Sequence, residues 1–148
     1  MNKVEFRQMT EADIDRVYEI DLLSFPKPWP KDIYYEEMQT NNFARYFVAV
    51  VGDEIVGFCG SWMILDEAQI TNIAIDPAYR GNHYGEGLFQ YVLNYAVANG
   101  VKRLSLEVRV SNLVAQRMYK KFGLLPGGIR KNYYTDNQED ALVLWVNL

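Results

Sequence analysis

The stretch Ile70-Thr71-Asn72-Ile73-Ala74-Ile75-Asp76-Pro77-Ala78-Tyr79-Arg80-Gly81-Asn82-His83-Tyr84-Gly85-Glu86-Gly87-Leu88-Phe89 reads as strand, turn, glycine-bearing loop and helix. Ile70, Ile73 and Ile75 are β-branched, with Thr71 among them, which suits a pleated and largely buried strand. Pro77 has no N–H and biases Asp76 away from helical geometry, so the strand stops there. Gly81, Gly85 and Gly87 flank a turn into a helix whose apolar residues Leu88, Phe89, Val92, Leu93, Ala96 and Val97 recur at helical spacing. A loop entering a helix in this way aims free backbone N–H groups at one point, and Arg80 adds a positive charge beside them. The loop reads as a holder of the pyrophosphate of a nucleotide-like cofactor.

Outward from this stretch the chain alternates between the two periods of regular structure. The helix ends at Asn99-Gly100, where glycine suits the position just past a helix. Val101 to Val110 follows as a strand, with Leu104, Leu106 and Val108 alternating with Ser105, Glu107 and Arg109. A strand–helix–strand crossover makes these two strands parallel neighbours. Ser111, a plausible cap, and Asn112 open a helix running through Ala115, Met118 and Tyr119 to Phe122-Gly123. Two last strands follow, Ile129 to Tyr134 and Ala141 to Val146, joined by Asp136-Asn137-Gln138-Glu139. Upstream, Tyr46 to Val51 and Glu54 to Trp62 form a hairpin about Gly52-Asp53. Val4 to Arg7 is a first short strand, and a helix capped by Thr10 carries Ile14, Val17 and Tyr18 to about Leu23. Ser24-Phe25-Pro26-Lys27-Pro28-Trp29-Pro30 excludes helix and central strand. It is either a rigid connector pinned by Phe25 and Trp29 or a wall of a substrate groove. Lys31 to Gln39 is a second helix. The fold class is therefore α/β, with a mixed, mostly antiparallel sheet of about seven strands, one parallel pair and about four helices.

The 148 residues suit a single domain spanning 1–148, with no linker, repeat or low-complexity segment. A net charge of −4 argues against non-specific binding to nucleic acid or an anionic membrane, and tolerates a cationic partner. One cysteine permits no internal disulfide, which fits a reducing cytoplasm. With one histidine and one cysteine, no metal site is expected. The sequence shows no signal-peptide core and no apolar run of membrane-spanning length.

Asn72-Ile73-Ala74-Ile75-Asp76-Pro77 followed by Arg80-Gly81-Asn82-His83-Tyr84-Gly85 resembles the acyl-coenzyme A loop of the GCN5-related N-acetyltransferases. Leu106-Glu107-Val108-Arg109, Ser111-Asn112, Ala115, Tyr119 and Phe122-Gly123 resemble that family's second half. Phe25 to Trp29, Leu65-Asp66-Glu67-Ala68, Asn132-Tyr133-Tyr134 and Glu139-Asp140-Ala141 are similar to the ribosomal-protein-alanine N-acetyltransferases, which acetylate a protein N-terminus. The likeness covers nearly the whole chain. It departs at His83, where the family usually has glycine. Glycine lets the backbone pass close to a pyrophosphate; His83 must point outward with φ below zero or contact the phosphates.

The resemblance implies acetyl-CoA as acetyl donor and a peptide N-terminus, of a ribosomal protein, as acceptor. It implies that Ile73, Ala74 and Ile75 hold the pantetheine arm. Arg80, Gly81, Asn82, His83, Tyr84, Gly85 and Glu86 hold the pyrophosphate, and Asn112 contacts the pantetheine or orients the site. Glu107 is implied as base and Tyr119 as acid. From pattern alone Glu107 fits a solvated strand face better than a base, and Tyr119 fits a core position equally well; the resemblance is what favours the catalytic roles. Asp66, Glu67, Tyr133, Tyr134, Glu139 and Asp140 are candidates for an acidic, aromatic mouth for a basic N-terminus; a set of solvated turns is the alternative. Lysine or small-amine acetylation, and a non-catalytic acyl-CoA-binding module, are the competing functions.

Overall fold

A computed structural model describes residues 3–148. In chain order the elements are β1 (Val4–Gln8), α1 (Ile14–Ser24), α2 (Lys31–Gln39), β2 (Ala44–Val51), β3 (Glu54–Ile64), β4 (Glu67–Ile75), α3 (Tyr84–Ala98), β5 (Arg103–Arg109), α4 (Leu113–Lys121), β6 (Leu125–Arg130) and β7 (Ala141–Asn147). The strands form one seven-stranded sheet in the order β1-β2-β3-β4-β5-β7-β6. Only β4 and β5 pair in parallel, joined by the crossover helix α3. The β2–β3 hairpin turns at Gly52, whose φ of +62° favours glycine.

Strand alternation feeds a core on each face of the sheet. Phe47, Cys59, Leu104 and Leu106 pack with Leu88, Phe89 and Val92 of α3 and Tyr119 of α4. Their neighbours Val48 and Phe58 turn the other way, onto Ile14, Val17 and Ile20 of α1 and Tyr34 of α2. Phe58 and Phe89 are fully buried, so truncating either to alanine removes about 3–5 kcal/mol.

The sheet is not closed throughout. β4 and β5 pair only where Glu67, Ala68 and Gln69 face Arg103, Leu104 and Ser105. Beyond Gln69 the strands part. Just there β4 carries a bulge: Gly60 pairs with Asn72 and Ser61 with Ile70, leaving Thr71 as the extra residue. A bulge bends the strand that carries it. Gly60 is required opposite it, since a Cβ there would lie 2.4 Å from Asn72 Oδ1 and 2.6 Å from the Tyr46 ring.

Two local readings change. The last hairpin is shifted: β6 ends at Arg130, and Tyr133 and Tyr134 lie in the loop 131–140. Asn132 (φ +53°) and Gln138 (φ +61°) take left-handed turns that end pairing. Pro126 sits in β6 because an edge strand can lack a donor. Ahead of α1, Thr10 is the N-cap and forms a capping box with Asp13, whose carboxylate accepts from the Thr10 N–H (2.8 Å) and hydroxyl (3.2 Å) and pairs with Arg7, which holds it below the usual carboxylate range. Asn112, not Ser111, caps α4: its Oδ1 accepts from the Ala115 N–H at 3.1 Å.

Candidate active site

The gap between β4 and β5 opens into a cleft of about 1240 Å³. Its walls are the second half of β4, the loop into α3, the outer half of β5, α4, the α1–α2 connector and part of the loop 131–140. Ile73, Ala74, Ile75, Arg80, Gly81, His83, Tyr84, Gly85, Glu86, Glu107, Asn112, Tyr119, Tyr133 and Tyr134 all line it.

The loop is braced from both sides. Asp76 at the end of β4 accepts from the Ala78 N–H (2.9 Å) and from Arg16 of α1 (2.6 Å), which together hold its carboxylate below the usual range. Asn82 is not on the cleft wall; its amide donates to the Tyr79 carbonyl at 3.0 Å and stiffens the loop. Arg80 folds back onto the Ile75 carbonyl at 3.1 Å. Among the described residues, nothing accepts the backbone N–H groups of Gly81 to Glu86. They form an anion cradle at the N-terminus of the fifteen-residue helix α3. A Cβ on Gly85 would meet only Ile75 and Met118, at an ordinary contact distance of 3.7 Å from each. The residues present therefore fit a coenzyme A-type ligand.

His83 points outward, as one of the two alternatives required, but with φ at +62° rather than below zero. Its side chain is 82% exposed. It occupies the left-handed conformation that the family's glycine takes without cost, which histidine tolerates better than most residues. The Glu86 carboxylate is engaged by Lys121 of α4 at 2.7 Å, so Glu86 offers the cradle its N–H alone.

Glu107 and Tyr119 meet the gap from opposite faces of the sheet. Leu106 and Val108 of β5 pack on the side of α3 and α4, where Tyr119 sits against Phe89. Glu107, between them in sequence, turns to the other face. Its side chain is 10% exposed, with Oε2 accepting from the Gln69 amide at 3.2 Å and Oε1 facing Arg130 Nε at 3.1 Å. Tyr119 is 4% exposed, and burial pushes its phenol well above the usual range. Its hydroxyl makes no hydrogen bond among the described residues and stays protonated, a donor without an acceptor. Asn112 spends its carbonyl oxygen on capping α4, which leaves only its amide for a ligand.

The acceptor side is aromatic rather than acidic. Tyr133 and Tyr134 stack edge-on at 5.1 Å, and Arg109 lies 4.0 Å over the Tyr134 ring. Burial raises both phenols, that of Tyr134 to about 12. Arg109 also grips Asp136 through two contacts of 3.0 Å and Glu139 at 3.2 Å, which locks the loop to β5. Glu139 is held down to about 2, first by the Ser111 hydroxyl and N–H and then by Arg109. Asp140 accepts from the Asn132 N–H at 2.9 Å. Glu139 and Asp140 are thus committed to the loop itself. Asp66 and Glu67 do not line the cleft. They sit where β4 begins, beside Arg103, about 13 Å along β5 from Glu107, because β4 runs away from them toward the loop.

Of the two readings of the α1–α2 connector, it does form a wall, and Lys27 Nζ reaches Thr135 across the opening at 3.0 Å; the residues behind it are ones that the sequence does not single out. Behind it, Asp21 is buried and accepts from the Tyr34 hydroxyl and the Trp29 N–H, and Tyr34 in turn accepts from Asn72 at 3.1 Å. Desolvation raises the Asp21 carboxyl. An acid directly after the buried Ile20 of an amphipathic helix was the available signal. Cys59 is a packed core residue whose thiol burial pushes up, which removes it as a nucleophile.

The model of the acetyltransferase (GNAT) family matches residues 14–124. The chain belongs to this family. A ribosomal protein bS18-alanine N-acetyltransferase of Escherichia coli (strain K12) is 32% identical over 148 residues, covering 97% of this chain and 96% of its own length. A Bacillus subtilis (strain 168) protein, provisionally named for the same activity, is 53% identical over 146 residues, 99% of this chain and 97% of its own. The crystal structure of the Escherichia coli ribosomal-protein-S18-alanine N-acetyltransferase matches with a TM-score of 0.91 at 28% identity, covering 98% of this chain and 94% of that one. As a GNAT acetyltransferase the chain is an enzyme that uses acetyl-CoA as co-substrate. No helix among its described residues is long and apolar enough to cross a membrane.

Proposed function

We propose that residues 1–148 act as one acetyltransferase domain in the cytoplasm. It moves the acetyl group of acetyl-CoA to the N-terminal α-amine of a ribosomal protein, an alanine of the bS18 type, by direct attack in a ternary complex. What supports the reading is a base and an acid on opposite faces of one slit, in a chain similar along nearly its whole length to proteins named for that activity.

The N–H groups of Gly81 to Glu86 and the guanidinium of Arg80 hold the pyrophosphate. The edge of β4 left open past Gln69, at Ile73, Ala74 and Ile75, takes the pantetheine amides. The bound coenzyme supplies an activated thioester. Glu107 takes a proton from the incoming ammonium. A terminal α-amine titrates near about 7.7–8.0, so a modest push suffices. The free amine attacks the thioester carbon, the C–S bond breaks as the nitrogen gives its second proton to solvent, and the departing thiolate, which solvent then protonates, meets the Tyr119 hydroxyl. A cysteine-like thiol titrates near about 8.5, far below the raised phenol of Tyr119. Full transfer is uphill, and Tyr119 stabilises the sulfur by donating a hydrogen bond.

Thiol release measured with alanine-initiated peptides, lysine peptides and small amines tests the acceptor class. Turnover confined to lysine or small amines overturns it, and tight coenzyme binding with no turnover on any amine supports a binding module instead. Glu107→Gln is expected to lower kcat by about 100-fold or more; an unchanged kcat removes Glu107 from the base role.

A further inference from the structure

The two contacts of Glu107 differ in kind. Gln69 belongs to the short paired segment of β4, opposite Ser105, and its amide holds Oε2 from a fixed backbone. Arg130 ends β6, the edge strand, and reaches over β7 to Oε1. Every residue of β6 is exposed, and the Arg130 side chain is 59% exposed. Its Nε lies 3.1 Å from the oxygen as an ion pair rather than an aligned hydrogen bond. Among the described residues its guanidinium has one other contact, the Tyr133 ring, with its centroid 5.9 Å away.

The incoming acceptor is itself a cation, and its ammonium must reach the same carboxylate. A guanidinium and an ammonium cannot share one oxygen without like-charge repulsion, and water must leave the site as they come together. We infer that Arg130 is a displaceable stand-in for the substrate ammonium. It neutralises Glu107 while the acceptor site is empty and moves aside, toward Tyr133 and solvent, when the peptide N-terminus arrives. Gln69 stays in place and aims the carboxylate. The inference rests on the assignment of Glu107 as base and deepens it. It makes the free enzyme's acceptor site self-neutralised and selective for a cation strong enough to take the place of an exposed ion pair, so a neutral or acetylated terminus gains nothing there.

The test uses the full chain with coenzyme A bound, so that no turnover occurs. The probes are an alanine-initiated hexapeptide and the same peptide with its N-terminus acetylated. Arg130→Gln is expected to tighten the free-amine peptide by about 1.5- to fivefold, the range of an exposed ion pair. Arg130→Lys, which keeps the cation, remains near the parent. The acetylated peptide, with no ammonium, is not tightened by either change. In turnover the gain appears in KM rather than in kcat. Unchanged or weaker binding of the free-amine peptide to Arg130→Gln overturns the proposal. So does equal tightening of the acetylated peptide, or a fall in kcat at constant KM, which makes Arg130 a fixed part of the machinery. Glu107→Gln separates the two readings. If that variant turns over normally, the base assignment fails. If it is inactive and Arg130→Gln still tightens the free-amine peptide in its background, displacement from Glu107 fails while the base stands.

Discussion

Replacing His83 by glycine should make the protein more stable, although it removes a side chain and adds backbone freedom. His83 sits at φ +62°, ψ +18°, immediately before α3. A residue with a Cβ pays roughly 1–2 kcal/mol in this region. Glycine avoids that cost but loses about 0.5–1 kcal/mol more in chain entropy on folding. The imidazole is 82% exposed and lies 3.9 Å from Glu86, which already has Lys121, so little is lost with the ring. The net expectation for His83→Gly is a gain of about 0.5–1 kcal/mol, or about 1–4 °C in Tm for a chain of this size. His83→Ala keeps the Cβ and the cost, and should fall within about 0.5 kcal/mol of the parent. Urea unfolding gives the stabilities, and calorimetry with acetyl-CoA gives the affinity, which His83→Gly should preserve or tighten. If His83→Gly proves no more stable than His83→Ala, the strain argument is wrong. A clear loss of acetyl-CoA affinity means that the imidazole touches the phosphates.

Tyr119→Phe should lower kcat by about 10- to 100-fold, the range of a hydrogen bond to a charged group. Its unfolding free energy should hardly change, because the hydroxyl has no partner to lose among the described residues. Single-turnover thiol release paired with urea unfolding checks both. Gly60→Ala should cost about 1–3 kcal/mol, because its Cβ meets Asn72 and Tyr46 at the bulge; a neutral result means that the bulge can relax. Glu139 titrates lower folded, at about 2, than its ordinary value of 4.5. Its contribution is therefore complete above pH 4.5 and is lost as pH falls toward 2. In Ser111→Ala, thermal unfolding followed against pH should show the acid-side loss beginning at higher pH.

The stretch from Ile70 to Phe89 was legible because local chemistry and tertiary role agree in it: β-branched residues, a proline stop, a glycine loop and a helical stripe. The parallel pair followed from the crossover rule. The parting of β4 from β5 was not legible, because it depends on a bulge opposite Gly60, a relation between two strands that no single stretch encodes. The end of the last hairpin is not legible, because β6 is exposed throughout and carries Pro126, Gly127 and Gly128. Such a strand has no buried face to impose a period. Asp66 and Glu67 lie away from the cleft because strand direction sends the loop and the first residues of β4 to opposite ends. Glu107 and Tyr119 both line the cleft, but that they come from opposite faces is legible only once the helices are assigned sides.

That opposition bears on how such an enzyme changes over generations. On the proposed function, the residues that grip the donor lie in one continuous segment and on α4, and those that meet the acceptor lie on the α1–α2 connector and the loop 131–140, with Arg130 at the end of β6. The backbone of the sheet stands between the two sets. A lineage can therefore rewrite the loops that choose an amine, residue by residue, while leaving its hold on the acetyl donor intact. Acceptor choice becomes the part of the molecule freest to drift.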